Sequence, residues 1–458
     1  MLAQCIDKSG SNSMTSASTR SRALVLGLGR TGLASVDFLL QRSGEVLVAD
    51  TRSAPPGLAA LGELHPDVDV RLGAFAPELL DGVDQIIVSP GLASDMPLLS
   101  QARAQGIPVV GDIELFARAA TQPIVGITGS NGKSTVTTLV GLMLQADGYD
   151  VRVGGNLGPP ALSLLDDEAD GYVLELSSFQ LENTFSLTTR AATVLNVSAD
   201  HMDRHHGLAR YAAIKAGVFN GAETVVLNRD DPLVMQMAAA HPQRVSFGLD
   251  EPTKQNFGLR VVGGVTWLVR SEELLLPVAN LRIKGRHNIA NGLAALALAA
   301  AFGADLRRAA SALVAFPGLR HRCEWIGEWG GVSFINDSKG TNVGATVAAL
   351  NGLDGPLILI AGGVGKGADF APLARAAQGR VRTALLMGQD AALLAEALSG
   401  VCDIRQVGAM DEAVATARDL ARPGDTVLLS PACASLDMYQ DFGVRGDDFR
   451  HQVLGGQR

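Results

Sequence analysis

Short apolar runs alternate with helical repeats along most of the chain. The first run, ALVLG at residues 23–27, precedes a segment that places Leu33, Val36 and Leu40 on one helical face. A second apolar run, EVLVAD, ends at Asp50. Strand, helix and strand in this order predict a parallel sheet with helices packed on it, as in α/β proteins.

The same alternation starts again twice. Near residue 122 the run IVGIT leads into a helical repeat that begins at Lys133, and a third series follows the proline and glycine of residues 316–322. Residues 250–281 are rich in turns and alternate like antiparallel strands. The other strands are predicted at DQIIV (84–88), YVLEL (172–176), ATVLNV (192–197), TVVLN (224–228), VSFIND (332–337), PLILIAGG (356–363), TALLMG (383–388) and TVLLSPA (426–432).

These patterns predict three α/β domains. We expect a Rossmann-like domain over residues 23–112, a P-loop ATPase-type domain over 113–318 and a second Rossmann-like domain over 319–458. Residues 1–22, rich in serine and threonine, are predicted to be a disordered leader, within which Met14 is an alternative start.

Composition excludes several classes of protein. With 458 residues and a net charge of -9, the chain has no basic stripe for nucleic acid. Its longest apolar run, at 292–302, is too short to span a membrane, for which about 20 residues are needed. The 4 cysteines are widely spaced, which argues against a zinc ribbon or a disulfide framework. We therefore expect a cytoplasmic protein.

A glycine-rich loop, GLGRTG, follows the first predicted strand. With Asp50 about 20 residues further on, it matches the fingerprint of dinucleotide-binding proteins. Taken alone, the fingerprint favours NAD and an oxidoreductase. The same turn also lets a helix N-terminus approach another nucleotide diphosphate, and the fingerprint does not separate the two ligands.

A second glycine-rich loop, TGSNGKST at residues 128–135, has altered spacing. The usual triphosphate loop is G-x-x-x-x-G-K-[ST], and Ile127 stands where its first glycine would be. Gly129 and Gly132 still offer backbone N–H groups, Lys133 a cation and Ser134 a hydroxyl, as a bound triphosphate requires. The alternative is an ordinary glycine turn with Ser134 as helix cap.

Motifs over nearly the whole chain after residue 22 resemble the ATP-dependent Mur ligases of peptidoglycan synthesis. In that family the phosphate loop has the same shifted glycine. The other matching motifs are GGNLG (154–158), LELSSFQLE (174–182), NVSADHMDRH (196–205), KGRHNIAN (284–291), FPGLRHRCE (316–324), NDSKGTN (336–342) and SPACASLDMYQDF (430–442). LSSFQLE and SPACAS are most similar to members that add D-glutamate.

The resemblance implies a reaction in three steps. ATP phosphorylates the carboxylate of UDP-N-acetylmuramoyl-L-alanine, the amine of D-glutamate attacks the acyl phosphate, and phosphate leaves. It also implies Mg²⁺ at two sites, a CO₂-derived carbamate on Lys215, a monomer, and a contribution to cell shape and cell division. Two anions that must react need positive shielding, which magnesium ions supply.

The matching motifs imply roles for individual residues. The ATP positions are Gly129, Asn131, Gly132, Lys133, Ser134, Thr135, Asn288, Asn291, Arg322 and Asp337. The metal positions are Ser134, Glu175, His201 and Lys215, and the catalytic positions are Lys133, Glu175, His201 and Lys215. The UDP-substrate positions are Thr31, Asp50, Thr51, Arg52, Asn156, Gln180 and His201, with the last three near the diphosphate, sugar or reacting end. The D-glutamate positions are Lys339, Thr341, Lys366, Ser435, Leu436 and Phe442.

Without the resemblance, several of these residues carry weaker expectations. Glu175 has about even odds of being a strand-end carboxylate in water, and Lys215 is expected to be an exposed helical lysine. The histidines at positions 201, 205 and 206, with Asp203, fit no zinc spacing and predict a solvated loop.

Two residues depart from the family pattern, and other functions stay open. Val364 stands where some members have an acidic residue, and Arg30 adds a cation to the first glycine loop. A sister ligase for another amino acid or for folate remains an alternative, although no D-N-P-R run of the diaminopimelate type is present. An NAD-dependent oxidoreductase and a non-catalytic sensor of the UDP-sugar are the others.

Overall fold

A computed structural model describes residues 21–42, 44–283, 285–353 and 355–455. All but the last two residues of the predicted leader lie outside this part of the chain. The described residues divide into two compact units, one ending at Val110 and the other beginning at Gly111. The predicted domain boundaries after residues 22, 112 and 318 stay predictions.

The first unit contains a five-stranded parallel sheet in the order β3-β2-β1-β4-β5. Its central strands are apolar on both faces because helices cover both sides of such a sheet. The strands are β1 Arg22–Leu26, β2 Glu45–Asp50, β3 Asp69–Leu72, β4 Gln85–Val88 and β5 Val109–Val110, and the helices are α1 Arg30–Gln41, α2 Leu58–Leu64 and α3 Pro97–Ala104.

The glycines of GLGRTG have different local roles. Gly27 has φ +90°, and a Cβ there would lie 2.8 Å from Cβ of Ser89. A Cβ on Gly32 would lie 1.9 Å from the carbonyl oxygen of Gly27. A Cβ on Gly29 would meet nothing within 4 Å. The first and third glycines are thus required by the turn itself, whereas the second leaves the N-terminus of α1 open to a ligand.

The second unit contains a nine-stranded sheet in the order β14-β13-β12-β11-β10-β9-β6-β8-β7. The seven strands β6 to β12 are parallel, whereas β12, β13 and β14 form the predicted antiparallel ribbon. The strands are β6 Ile124–Thr128, β7 Val151–Gly155, β8 Gly171–Glu175, β9 Thr189–Val194, β10 Ala222–Asn228, β11 Arg244–Phe247, β12 Phe257–Val262, β13 Val265–Arg270 and β14 Glu273–Pro277.

Eight helices accompany this sheet among the described residues. They are α4 Asp112–Ala119, α5 Lys133–Ala146, α6 Ser178–Leu181, α7 Met202–His205, α8 Leu208–Ala216, α9 Pro232–Met237, α10 Arg286–Phe302 and α11 Leu306–Ala315. Residues 292–299 of α10 are all buried, so the alanine-rich run found in the sequence is a core helix. Within the described ranges, no helix combines the length and apolarity that crossing a membrane requires.

A six-stranded sheet completes the second unit, in the order β15-β16-β20-β17-β18-β19. Only β15 is antiparallel to its neighbour. The strands are β15 Glu324–Trp329, β16 Val332–Asn336, β17 Leu357–Gly362, β18 Val381–Met387, β19 Asp403–Gln406 and β20 Thr426–Leu429. The helices are α12 Val343–Gly352, α13 Ala371–Ala377, α14 Ala391–Leu398, α15 Met410–Leu420 and α16 Phe442–Gly455.

The predicted fold class, α/β with three successive sheets, is confirmed. Two strands end three residues earlier than predicted, because ATVLNV predicts a strand to residue 197 while β9 ends at Val194, and TVLLSPA predicts one to residue 432 while β20 ends at Leu429. The residues after β9 instead turn toward the loop before α5, where the backbone N–H of Ser130 donates to the Asn196 carbonyl at 2.9 Å. This contact begins the candidate site.

Candidate functional site

The loop between β6 and α5 has the backbone of a phosphate-binding turn. Gly129 and Gly132 have φ of +153° and +85°, a region that favours glycine. A Cβ on Gly132 would lie 2.5 Å from Oδ1 of Asn291. Helix α5 then begins at Lys133, as predicted. Its N-terminal N–H groups point into the loop, which is the arrangement that binds phosphate.

Two lysines converge on one carbonyl of this loop. Nζ of Lys133 donates to the carbonyl oxygen of Gly129 at 3.0 Å, and Nζ of Lys215 donates to the same oxygen at 2.9 Å. Lys215 is 1% exposed, so the expectation of an exposed helical lysine is wrong. Burial, followed by the charge of Lys133, holds the pKa of Lys215 well below its usual value.

A buried carboxylate faces the same loop. Glu175, at the end of β8, is 2% exposed and accepts from Ser134 Oγ at 2.5 Å and from Asn156 Nδ2 at 2.6 Å. The expectation of a solvated strand end is therefore wrong. Ser134 does not cap α5, whose N-cap is Gly132, so that alternative is wrong as well.

Arg322 joins the two sheets of the second unit at this point. Its Nη2 donates to Ser134 Oγ at 2.6 Å, although Arg322 lies two residues before β15 of the six-stranded sheet. Burial lowers the pKa of Arg322, and the charges of Glu175 and Asp337 partly offset this effect. A cation from the six-stranded sheet thus reaches the first turn of α5.

A cavity of about 350 Å³ opens beside the loop. Most of the predicted ATP residues line it, together with Lys339 from the predicted D-glutamate set; these ATP residues are Asn131, Gly132, Thr135, Asn288, Asn291, Arg322 and Asp337. Leu195, Phe247 and Leu249 provide an apolar wall. The cavity therefore combines an apolar slot with amide groups and lies beside the phosphate-type loop.

Asp337 is a fully buried carboxyl group at this cavity. Burial raises its pKa to about 6, although Ser430 Oγ donates to it at 2.7 Å and the backbone N–H of Cys323 donates at 3.1 Å. The pKa of Asp337 therefore lies closer to neutral pH than that of an ordinary aspartate.

Within the histidine segment, His205 is buried whereas His206 is exposed. His205 is completely buried, with its ring centroid 5.2 Å from that of Phe179 and its Nε2 2.9 Å from Ser178 Oγ. The expectation of a solvated loop is therefore wrong for His205. The ring of His201 lies 5.0 Å from Phe179 and its Nε2 3.6 Å from a carboxylate oxygen of Asp200.

Asp200 is a site residue that the sequence did not single out. Its carboxylate accepts from Asn342 Nδ2 at 3.1 Å and lies 3.6 Å from Nζ of Lys366. Both partners belong to loops of the six-stranded sheet, whereas Asp200 follows β9 of the nine-stranded one. In the sequence, Asp200 was noted only as a member of the motif NVSADHMDRH.

Five of the six predicted D-glutamate residues lie on loops at the carboxyl ends of the six-stranded sheet, and Phe442 is the first residue of α16. Nζ of Lys339 lies 3.8 Å from the ring centroid of Phe442, and burial lowers the pKa of Lys339 to about 8. Thr341 donates its backbone N–H to the carbonyl of Lys339 at 2.7 Å. Ser435 is buried, whereas Leu436 is 73% exposed.

Val364 is accommodated by backbone contacts. Its N–H donates to the Ala434 carbonyl, and the Ala434 N–H donates back, both at 2.9 Å. The loop that carries Lys366 is therefore held to the loop that carries Ser435 without an acidic side chain at position 364.

The predicted UDP-substrate residues are divided between the two units. In the first unit, Asp50 accepts from the backbone N–H of Leu28 at 2.7 Å and from Nε of Arg52 at 2.9 Å. The Arg52 guanidinium holds the pKa of Asp50 well below its usual range. Thr31 lies in the first turn of α1, whose first residue is the exposed Arg30, and Thr51 follows β2.

Asn156, Gln180 and His201 belong to the second unit. Asn156 contacts Glu175, as described above, and Gln180 completes a capping box with Ser177 at the start of α6. Nε2 of Gln180 donates to Asp112 at 3.1 Å, and burial raises the pKa of this carboxyl group to about 6. Sequence patterns gave no sign of Asp112.

The fold and this site define a P-loop nucleotide-binding protein in which a second α/β sheet contributes to the nucleotide cavity. Residues 21–111 match the MurD-like N-terminal domain of Mur ligases, residues 127–299 the Mur ligase middle domain, and residues 321–433 the Mur ligase glutamate ligase domain. The chain belongs to the Mur ligase family.

Curated relatives are similar over nearly the whole chain. UDP-N-acetylmuramoylalanine--D-glutamate ligase of Nitrosococcus oceani is 53% identical, covering 94% of this chain and 96% of its own. The enzymes of the same name from Methylococcus capsulatus and Pseudomonas aeruginosa are 51% and 50% identical, covering 95% and 94% of this chain and 95% and 97% of their own.

Solved structures share the fold at low sequence identity. UDP-N-acetylmuramate-alanine ligase from Thermotoga maritima is 17% identical with a TM-score of 0.60, covering 95% of this chain and all of its own. A pseudomurein peptide ligase type C from Methanothermus fervidus is 18% identical with a TM-score of 0.59 over the same shares.

Proposed function

We propose that this protein joins D-glutamate to UDP-N-acetylmuramoyl-L-alanine, with hydrolysis of ATP to ADP and phosphate. The relatives' names supply the substrates, and the contact of Arg322 with Ser134 is the structural observation that carries the chemistry. It brings a cation from the six-stranded sheet, which also bears the predicted amino-acid loops, to the loop expected to hold the γ-phosphate.

The cavity supports ATP as the phosphoryl donor. Its apolar wall suits a base, and the amides of Asn288 and Asn291 suit the base's polar edge. Lys133 at the start of α5 is suited to neutralise charge as the phosphoryl group transfers.

The residues around Ser134 fit Mg²⁺. Hydroxyl and carboxylate oxygens are the ligands that this hard cation prefers, and Glu175 presents a buried carboxylate beside the Ser134 hydroxyl. Within the described part of the chain, no group of three or more His, Cys, Asp or Glu side chains is arranged to hold a metal ion. A further oxygen ligand is therefore needed, and magnesium bound here would shield the two reacting anions.

The surroundings of Lys215 favour a carbamate, because they make the charged ammonium form of this lysine energetically unfavourable. A neutral amine is required to react with CO₂, and burial together with Lys133 favours the neutral form. The carbamate would add carboxylate oxygens next to the loop, whereas an ammonium group there opposes Lys133. We propose Lys215 as the carbamylated ligand, with His201 at the second metal position.

The remaining substrates are assigned by the matched domains. We propose that the loop GLGRTG, with Asp50, holds the uridine diphosphate rather than NAD, because it lies in the part matched to a Mur ligase N-terminal domain. The two carboxylates of D-glutamate are expected between Lys339 and Lys366. We expect the reaction to occur in the cytoplasm and the protein to act as a monomer.

The test is phosphate release from ATP with Mg²⁺ and UDP-N-acetylmuramoyl-L-alanine. D-glutamate would be compared with L-glutamate, L-alanine and diaminopimelate, each in turn. We expect release only with D-glutamate. Release with another amino acid would assign the chain to a sister activity, and no release with any of the four would contradict the ligase proposal.

A further inference from the structure

Arg445 is a buried cation that the proposed reaction leaves without a role. It lies in the first turn of α16, is 3% exposed, and is followed by Gly446, whose Cβ position is filled by His321. Burial lowers its pKa to about 10, so the guanidinium stays charged at neutral pH. Burying such a charge is costly unless every donor finds a partner.

The guanidinium binds three different loops. Nε donates to Ser338 Oγ at 3.0 Å and Nη2 to the Ser338 carbonyl at 2.9 Å. Nη1 and Nη2 both donate to the Cys433 carbonyl at 3.2 Å, and Nη1 lies 3.4 Å from the Gly362 carbonyl. These recorded bonds all end on hydroxyl or carbonyl oxygens, and none ends on a carboxylate.

The three loops follow β16, β17 and β20, and each carries a predicted D-glutamate residue. Ser338 precedes Lys339, Gly362 lies four residues before Lys366, and Cys433 lies two residues before Ser435. Backbone bonds also join these loops, including Gly362 N–H to the Pro431 carbonyl at 2.9 Å and Ala432 N–H to the Gly340 carbonyl at 2.9 Å. Arg445 contributes a single rigid group that touches all three.

We propose that Arg445 is a positioning residue for the amino-acid pocket, fixing the loops of Lys339, Lys366 and Ser435 at the spacing that D-glutamate requires. This inference rests on the proposed function. A planar guanidinium holds several donors in one fixed fan, which a lysine ammonium cannot reproduce. The loops after β6 and β1, which are proposed to bind ATP and the UDP-substrate, make none of these contacts. A change at Arg445 should therefore weaken the binding of D-glutamate and leave the binding of the other two substrates unchanged.

The test is steady-state kinetics of Arg445→Lys and Arg445→Gln, with each substrate varied in turn. We expect kcat/KM for D-glutamate to fall about 10- to 100-fold in both variants, as expected for misplaced binding groups. The KM values for ATP and the UDP-substrate should stay at the wild-type level. Arg382→Lys is the control, because Arg382 also donates to a carbonyl, that of Leu420 at 2.8 Å, and pairs with Asp425 at the amino end of β20, opposite the end that carries the pocket loops.

Several outcomes would overturn the inference. Arg445 would be a structural residue only if kcat/KM changed equally for all three substrates. The same conclusion would follow if the melting temperature fell while kcat/KM for D-glutamate stayed unchanged. Wild-type kinetics in Arg445→Lys would mean that charge alone suffices. Should Arg445→Gln fail to fold, Arg445→Ala with added methylguanidinium provides the second measurement, and recovery of D-glutamate affinity is expected. Absence of D-glutamate turnover in the wild type would instead refute the proposed function.

Discussion

At the scale of single residues, the phosphate loop holds more cationic groups than its own sequence indicates. Lys133 and Lys215 share the Gly129 carbonyl, and Arg322 reaches Ser134. Like charges in a buried site raise each other's free energy, and bound anions relieve this cost. This arrangement supports the proposal that the loop binds a triphosphate and that Lys215 loses its positive charge by carbamylation.

The carbamate leads to a prediction for Lys215→Ala. We expect turnover to be lost, because the variant removes the carbamate oxygens, and to be partly restored by a small carboxylate such as acetate or formate. Phosphate release measured against carboxylate concentration checks this. Lys254→Ala, at an exposed lysine, is the control and should keep its activity without the additive. A dead Lys215→Ala enzyme that no carboxylate restores would count against the carbamate.

Lys339 leads to a pH prediction. Its pKa is lowered to about 8 by burial, with further effects from Arg322, Glu175, Lys133 and Asp200. The ammonium that attracts D-glutamate is therefore present below about pH 8 and lost above it. We expect the KM for D-glutamate to rise as pH increases through 8 while the KM for ATP changes less. Lys339→Arg, which stays charged, should shift this rise to higher pH; an unchanged profile would contradict the assignment.

Site residues differed in how far the sequence could reveal them. Ser134, Lys133 and the loop glycines were predictable because backbone turn, cation and hydroxyl occur at fixed spacing. The burial of Lys215 was not, because nothing in an isolated helix shows which face the sheet covers. Asp200 was missed because its partners Asn342 and Lys366 are far away in the sequence.

At the scale of elements, strand β6, the loop and α5 work as one unit. The positive φ of Gly129 and Gly132 bends the chain so that α5 begins directly after the loop. Fully buried strands such as β6 and β8 were predictable as short apolar runs. The short, largely exposed strands β3 and β19 were not predicted, because neither contains the apolar run that marks the buried strands.

Gly132 allows a direct test of this arrangement. We expect Gly132→Ala to raise the KM for ATP strongly, because its Cβ would lie 2.5 Å from Oδ1 of Asn291. Gly148→Ala is the matched control, since Gly148 also has positive φ, at +97°, but its Cβ would meet nothing within 4 Å. Both variants should lose about 1 kcal/mol of unfolding free energy from backbone strain. Normal ATP kinetics in Gly132→Ala would contradict the role given to this turn.

At the scale of the whole molecule, we propose that the two glycine-rich loops bind two different nucleotides. GLGRTG and Asp50 belong to the first compact unit, and the phosphate loop belongs to the second. Sequence patterns predicted both loops and the succession of α/β sheets, because strand–turn–helix signals are local. Arg322 was assigned to the P-loop site only through the family resemblance, since its contact joins it to a serine 188 positions earlier.

This division predicts that the two nucleotide sites can be inactivated separately. Lys133→Ala should abolish ATP turnover, because the cation beside the γ-phosphate is lost, while calorimetry should still detect binding of the UDP-substrate. Asp50→Asn should have the opposite effect, since it weakens the pair with Arg52 and leaves the P-loop unchanged. If Lys133→Ala loses both ligands while its melting temperature stays normal, the sites are not separate. The loop GLGRTG of the first unit would then have to bind a ligand other than the UDP-substrate.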